Sequence, residues 1–208
     1  MSAAKEQKVR RGRRETAEAR RAQILQVSRE LIADEGFESF SLRKVASNAD
    51  IHLKTLQYYF PARETLITAT LESTYALYRG AVEEICREEA SDLARFESYI
   101  RYLLKDHGNK HTAGFFYHLW ARAHTDPATN EMMDRMYENH NQTLEALIRP
   151  LVPGLKPDQH QRRATMIAAL VEGMMLFIGY GKRRKEGTEN IEDDVIAECT
   201  HLATQQPG

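Results

Sequence analysis

At 208 residues, with 42% hydrophobic and 28% charged side chains, the chain has the make-up of a soluble globular protein of one or two domains, which excludes a disordered or fibrous polypeptide. It contains no apolar run of the roughly 18 residues a bilayer span needs, and its polar, basic start lacks the apolar core of a signal peptide, so a cytoplasmic protein is expected. Cys86 and Cys199 offer neither a disulfide framework nor metal-ligand spacing, and the formal net charge of −1 conceals a split: 13 Lys+Arg against 9 Asp+Glu over residues 1–64, then 16 against 21 over residues 65–208.

The positive surplus gathers in residues 1–20 and just beyond, where Lys5, Lys8, Arg10, Arg11, Arg13, Arg14, Arg20 and Arg21 face only Glu6, Glu15 and Glu18. Such an arm is either a solvated tail or a cationic segment that follows phosphates and enters a minor groove. The elements that come next favour the second reading.

Residues 14–35 carry Ile24, Leu25, Val27, Ser28, Leu31 and Ile32 along one helical stripe and stop at Gly36, the residue type that accepts a positive φ after a helix. Two short amphipathic helices and a tight turn then fit between Ser41 and Phe60. In the first, Leu42, Val45, Ala46 and Ala49 share a face, Arg43, Lys44, Ser47 and Asn48 project away from it, and Ser41 is placed to cap the first turn. In the second, Ile51, Leu56, Tyr59 and Phe60 form the buried set, leaving His52, Leu53, Lys54, Thr55, Gln57 and Tyr58 at least partly exposed.

Pro61 opens a long helix over about residues 62–88, since its missing N–H costs nothing in a first turn. Further helices are predicted over 92–107, 112–124 and 127–149, with Asp126-Pro127 as a start signal and Pro150 as a stop. Residues 158–181 form the most apolar helix, with Ala164, Ile167, Ala168, Val171, Met175 and Ile178 on one face and the small residues Ala168, Ala169 and Gly173 allowing close approach. A last helix over 191–203 adds Ile191, Val195, Ile196, Cys199 and Leu202. With no hairpin signal and no sustained period-two alternation, the expected fold is all-α. The last two helices either close the core of one chain or build a four-helix bundle with a second copy; a DNA-reading helix pair favours the homodimer.

From Ile24 to about Leu66 the chain resembles the tetracycline-repressor (TetR) family of bacterial transcriptional regulators. The residues that carry the resemblance are Ile24, Leu31, Glu35-Gly36-Phe37, Ser41, Val45-Ala46, Ala49, Ile51, Thr55-Leu56, Tyr58-Tyr59-Phe60, Glu64 and Leu66. A weaker likeness, in Phe116, Leu119-Trp120-Ala121, Asp126-Pro127 and Glu172-Gly173, points to the branch that contains the choline-responsive BetI regulators. The resemblance implies a three-helix DNA-binding domain over residues 21–66 and a helical dimerisation and ligand domain over 67–208. Three positions depart from the family pattern: Asp50 stands where glycine is usual, His52 where a capping serine is usual, and Gln57 where a DNA-contacting tyrosine is common.

In a helix-turn-helix the second helix enters the major groove, which makes Lys54, Thr55, Gln57 and Tyr58 the groove-facing set, with Arg43 joining from the preceding helix. The resemblance places Tyr59 and Arg63 at phosphate-touching positions, although Tyr59 reads equally as a core aromatic. Phe115, Phe116, His118, Trp120, Met132, Met136, Tyr137, Met174 and Phe177 offer aromatic and flexible surface for a small-molecule effector, with plain core packing as the competing reading. His107 and His111 stand four apart, but Gly108-Asn109 between them reads as loop, so neither a metal nor another cofactor is expected. No catalytic motif and no glycine-rich phosphate loop occurs. The expectation is a non-enzymatic repressor that binds a palindromic DNA operator as a homodimer, is released by a small-molecule effector and makes no use of a membrane. The alternatives are a ligand-independent helix-turn-helix adaptor and a helical-bundle enzyme.

Overall fold

The computed structural model describes the backbone of residues 2–206 and the side chains of residues 16–206. Every regular element among them is helical: α1 (Ser2–Ser39), α2 (Leu42–Asn48), α3 (Leu53–Tyr59), α4 (Arg63–Glu88), α5 (Asp92–His107), α6 (Lys110–Ala123), α7 (Pro127–Ile148), α8 (Pro157–Ile178) and α9 (Ile191–Thr204). The chain divides into two compact units, Met1–Thr74 and Tyr75–Gly208. The first therefore takes in the opening turns of α4. The side chains of Lys5, Lys8, Arg10, Arg11, Arg13 and Arg14, which form most of the expected basic arm, lie outside the described residues.

The first unit is built on the expected stripe of α1: Ile24, Leu25, Leu31 and Ile32 are buried, and the buried hydroxyl of Ser28 donates to the carbonyl of Ile24 at 2.8 Å. Gly36, at φ 77° and ψ 175°, breaks the regular helix in a region open to glycine alone, which turns Phe37 and Phe40 inward at 3% and 2% exposure. Val45, Ala46 and Ala49 of the α2 segment and Leu56 and Phe60 of the α3 segment complete this core. Ser41 caps α2, its hydroxyl accepting from the Lys44 amide at 3.3 Å.

The second unit packs α8 against α7, α9 and α5, and α6 against α7. Its core joins Phe96, Tyr99, Ile100 and Leu103 of α5 to Leu144 and Ile148 of α7, Ala164, Ile167 and Val171 of α8, and Val195, Ile196 and Cys199 of α9. The face of α8 that marked it as the most apolar helix is thus consumed inside one chain. Its opposite face stays open, with Met166, Leu176 and Phe177 at 49%, 54% and 69% exposure. Asn109 and Asp126 cap α6 and α7 through their side-chain oxygens, which fixes both short connections around α6.

Candidate nucleic-acid interface and ligand cavity

The turn between α2 and α3 depends on Asp50, whose φ of 51° is the one positive value outside glycine among the described residues. Aspartate is among the few residues that visit the left-handed region, so the turn that commonly uses glycine survives here. Two hydrogen bonds brace it: the amide of Ile51 donates to the carbonyl of Ala46 at 3.0 Å, and Gln23 of α1 donates through Nε2 to the carbonyl of Ala49 at 3.1 Å. Gln23 was not singled out from sequence, because an exposed polar residue on a helix carries no signal of its partner.

His52 occupies the N-cap of α3 without a side-chain capping bond, so the first amides of that helix have no protein side chain to satisfy them. Lys54, Thr55 and Gln57 are exposed along α3, and Tyr58 projects furthest at 83% exposure. Tyr59 is half-buried and meets Tyr58 edge to face, with ring centroids 5.3 Å apart. His52, Leu53, Lys54, Thr55, Tyr58 and Tyr59 line one shallow concavity. Arg43 is exposed on α2, which packs on α3.

Arg63 is engaged differently from the phosphate contact that the resemblance implied. Its Nε donates to the carbonyl of Phe40 at 3.0 Å and its Nη2 to the carbonyl of Phe37 at 2.5 Å, while Nη1 pairs with Glu64. The guanidinium thus ties the start of α4 to the segment that follows the Gly36 break.

The second unit holds a partly open cavity, whose empty space together with the open solvent at its mouth comes to about 520 Å³. Tyr75, Tyr78 and Arg79 of α4, Tyr99, Asp106 and His107 of α5, Phe116 of α6, Tyr137 and His140 of α7 and Glu172 of α8 contribute to its wall. Of the residues expected to line a pocket, Phe116, Met136 and Tyr137 do so. Phe115 is 1% exposed within the core, Trp120 stands behind Tyr137 and donates to its hydroxyl at 2.9 Å, and Met174 packs against the hydrophobic core. His118 and Met132 are half-buried and do not contribute to this wall. Phe177, five residues on from Glu172, points from the opposite side of α8 because five helical steps amount to about 500°, and it is exposed.

The polar groups of the cavity fall into three sets. Asp106 is fully engaged, accepting from Tyr78 at 2.7 Å and from the Thr112 hydroxyl at 3.0 Å. Glu172 accepts one bond, from the Tyr137 hydroxyl at 3.3 Å, and burial pushes its carboxyl up to about 7. His107 and His140 are both pushed down to about 4 by burial, so both imidazoles are neutral at physiological pH. Burial likewise raises Tyr78, Tyr99 and Tyr137, whose phenols stay protonated. Glu172 entered the sequence reading only through the Glu172-Gly173 likeness, with no cavity role attached; Tyr75 and Tyr78, or Tyr99, Asp106 and His107, share a face at helical spacing, but nothing in their types distinguishes a cavity wall from a solvated one.

Residues 24–70 match the family model of bacterial regulatory proteins of the tetR family, and residues 92–199, more than half of the chain, match that of the C-terminal domain of BetI-type transcriptional repressors. The chain belongs to the TetR family of transcriptional regulators, with a helix-turn-helix DNA-binding domain and a BetI-type C-terminal domain, and it is not an enzyme. Solved structures share the fold at low identity. A TetR transcription regulator from Haloarcula marismortui is 12% identical over 89% of this chain and 97% of its own, with a TM-score of 0.68. A transcriptional regulator from a Rhodococcus species is 20% identical over 90% and 99%, with a TM-score of 0.69. A transcriptional regulator from Saccharomonospora viridis, solved in complex with choline, is 19% identical over 89% and 95%, with a TM-score of 0.67. No curated protein sequence matches the chain. Among the described residues no helix is long and apolar enough to cross a membrane.

Proposed function

We propose that the chain is a repressor that binds a palindromic operator as a homodimer and leaves it when a small organic cation enters the cavity of the second unit. The observation that carries the DNA reading is the outer face of α3, where Lys54, Thr55, Gln57 and Tyr58 are all exposed, the Tyr58 ring resting only against that of Tyr59 among the described residues. Lys54 suits guanine O6 and N7, Gln57 suits adenine, and the Thr55 methyl suits thymine. Arg43 and Tyr59 flank this face, and Arg63 holds the domain in shape behind it.

One copy reads too few bases for specificity, and two copies need an interface. The open face of α8 is the surface assigned to it in this reading: Met166, Leu176 and Phe177 are exposed around the small residues Ala169 and Gly173 along one side of the helix, and Tyr180 is exposed just beyond its end.

The cation reading rests on charge and aromatic surface. Four tyrosine rings and Phe116 face a cavity in which, among the described residues, the buried carboxylate of Glu172 has one hydrogen-bond partner, the Tyr137 phenol, and forms no ion pair, the exposed Arg79 elsewhere on the wall being the one basic side chain that lines it. Aromatic faces and an uncompensated carboxylate attract a positive ligand, and the Saccharomonospora viridis regulator holds choline. Because α4 contributes Tyr75, Tyr78 and Arg79 to the cavity and begins in the DNA-binding unit, it is the element through which a ligand would favour one half-site spacing over another.

Selection of bound DNA from a random pool with purified protein tests the first part; a palindromic consensus is expected, and enrichment of no sequence refutes it. Fluorescence anisotropy of the selected duplex under titration with choline and with neutral analogues of similar size tests the second. Release by cations alone is expected, and equal release by neutral analogues refutes the cation reading.

A further inference from the structure

The two ends of α3 are held from one short stretch of α1. At the C-terminal end, Phe60 is 2% exposed, and the guanidinium carbon of Arg21 lies 5.4 Å from the centre of its ring. At the N-terminal end, Gln23 donates through Nε2 to the carbonyl of Ala49 at 3.1 Å, while its Oε1 accepts from Nη1 of the exposed Arg20 at 2.7 Å. The bond from Arg20 leaves the Gln23 amide a single orientation, oxygen toward the cation and N–H toward the turn. It also polarises that amide into a better donor.

The carbonyl of Ala49 is a sensitive place to hold. Ala49 is the C-cap of α2, so its carbonyl has no helical amide to accept from. It shares a peptide plane with the nitrogen of Asp50, the residue at φ 51°. The turn departs from that plane, and the tilt of the plane sets the direction in which α3 leaves. His52 adds no side-chain cap that would fix the direction further on. With seven residues, α3 is about 10 Å long, so a swing of about 10° at the turn carries its far end through about 2 Å. Hydrogen bonds to base edges occupy a range of only about 0.5 Å, whereas contacts from long flexible cations to phosphate absorb a larger shift.

We propose that Gln23, with Arg20 behind it, is a positioning residue for sequence recognition: it touches no base and aims α3 by holding the α2–α3 turn. This rests on the reading of α3 as the groove-facing helix. Its mark is a loss of discrimination without a loss of general DNA affinity, since the cations that meet phosphate keep their places.

Fluorescence anisotropy with two duplexes of equal length measures this as a ratio of affinities, one duplex carrying the sequence selected from the random pool and the other the same bases in scrambled order. Gln23→Met keeps the length and charge of the side chain but offers no N–H. In it the ratio is expected to fall about tenfold, while the scrambled duplex binds as before with an unchanged salt slope. Gln23→Lys restores a donor and is expected to hold the ratio within about threefold of wild type, its added charge raising both affinities together. Arg20→Met lowers both affinities through its lost charge and lowers the ratio as well. Combined with Gln23→Met it lowers the ratio no further, because the two residues act in series. An unchanged ratio in Gln23→Met overturns the proposal. So does an equal loss on both duplexes, which marks Gln23 as a brace for the whole unit. Wild-type protein that binds both duplexes alike overturns the reading of α3 and the proposal together.

Discussion

Arg63 donates from Nε to the main-chain carbonyl of Phe40 at 3.0 Å, across 23 residues of sequence, with its guanidinium carbon 6.0 Å from the centre of the Phe40 ring. A second bond reaches the carbonyl of Phe37. These carbonyls lie just past the Gly36 break, where that of Phe37 also accepts from the Phe40 amide at 3.3 Å. Arg63→Ala is therefore expected to lower the stability of the first unit by about 2 kcal/mol, the scale of charge-assisted bonds at a partly exposed site. Arg63→Lys should recover little of it, since an ammonium lacks the fork. DNA affinity would fall alike for all sequences, with an unchanged salt slope. Thermal unfolding and a salt series of binding constants check both, and a slope that drops by about one with stability intact would return Arg63 to the phosphate backbone.

Lys54 and Gln57 should behave in the opposite way. Both are exposed, and among the described residues neither side chain makes a hydrogen bond or ion pair, so Lys54→Ala and Gln57→Ala leave the melting temperature nearly unchanged. Each is expected to relax preference at one operator position at a cost of about 1–3 kcal/mol. Repeating the DNA selection with each variant reads this directly, and an unaltered consensus would remove that residue from the interface.

Glu172 gives cation binding a pH dependence of definite sign. Its carboxyl is held up at about 7 by burial, and a bound cation requires the ionised form. Affinity should drop about tenfold per unit as pH falls below about 7 and level off above it. Glu172→Gln should bind cations weakly and without this slope. Titration between about pH 5.5 and 8 measures it; a flat wild-type profile would contradict it.

The same groups govern the stability of the ligand-free protein. Glu172, raised from 4.5 to about 7, keeps a proton that the unfolded chain releases, so its contribution declines as pH rises through that window. His107 and His140, lowered from 6.5 to about 4, refuse protons that the unfolded chain takes up, so their contribution is lost as pH falls through that window. Two histidines outweigh one glutamate, and stability should climb between about pH 5 and 6.5, with a slope roughly doubled in Glu172→Gln. Thermal melts across that range decide it.

Leu176 and Phe177 are 54% and 69% exposed on α8 and lie outside the core of their own chain. Leu176→Asp and Phe177→Asp should leave the melting of the single chain little changed and shift the protein from dimer to monomer, with loss of operator binding. Sedimentation velocity distinguishes the species; a persistent dimer would place the interface elsewhere.

The helices were legible because their signals are local. Pro127 after Asp126, Asn109 before α6, the α1 stripe ending at Gly36 and the face of Val45, Ala46 and Ala49 each announce a boundary or a buried side from a few neighbouring residues. Asp50 in place of glycine was readable for the same reason, since a tight turn there demands a positive φ. The cavity was legible only in Phe116, Met136 and Tyr137, because its wall draws on five helices and its lining is fixed by which faces meet. Phe115 and Phe116 are neighbours of the same type, yet one is in the core and the other on the wall. The main-chain partners of Arg63 were hidden from sequence by a different cause: an arginine at a position that the family resemblance links to phosphate suggests a ligand contact, and only the fold shows its bonds to two carbonyls more than twenty residues away.

Trp120 is the single tryptophan of the chain, and its indole N–H donates to the hydroxyl of Tyr137, which in turn donates to Glu172. The protein thus carries an intrinsic fluorophore two hydrogen bonds from the carboxylate. Any occupant that draws Glu172 or Tyr137 toward itself alters the polarity around the indole, and the emission of unlabelled protein becomes a direct optical record of whether the cavity is filled.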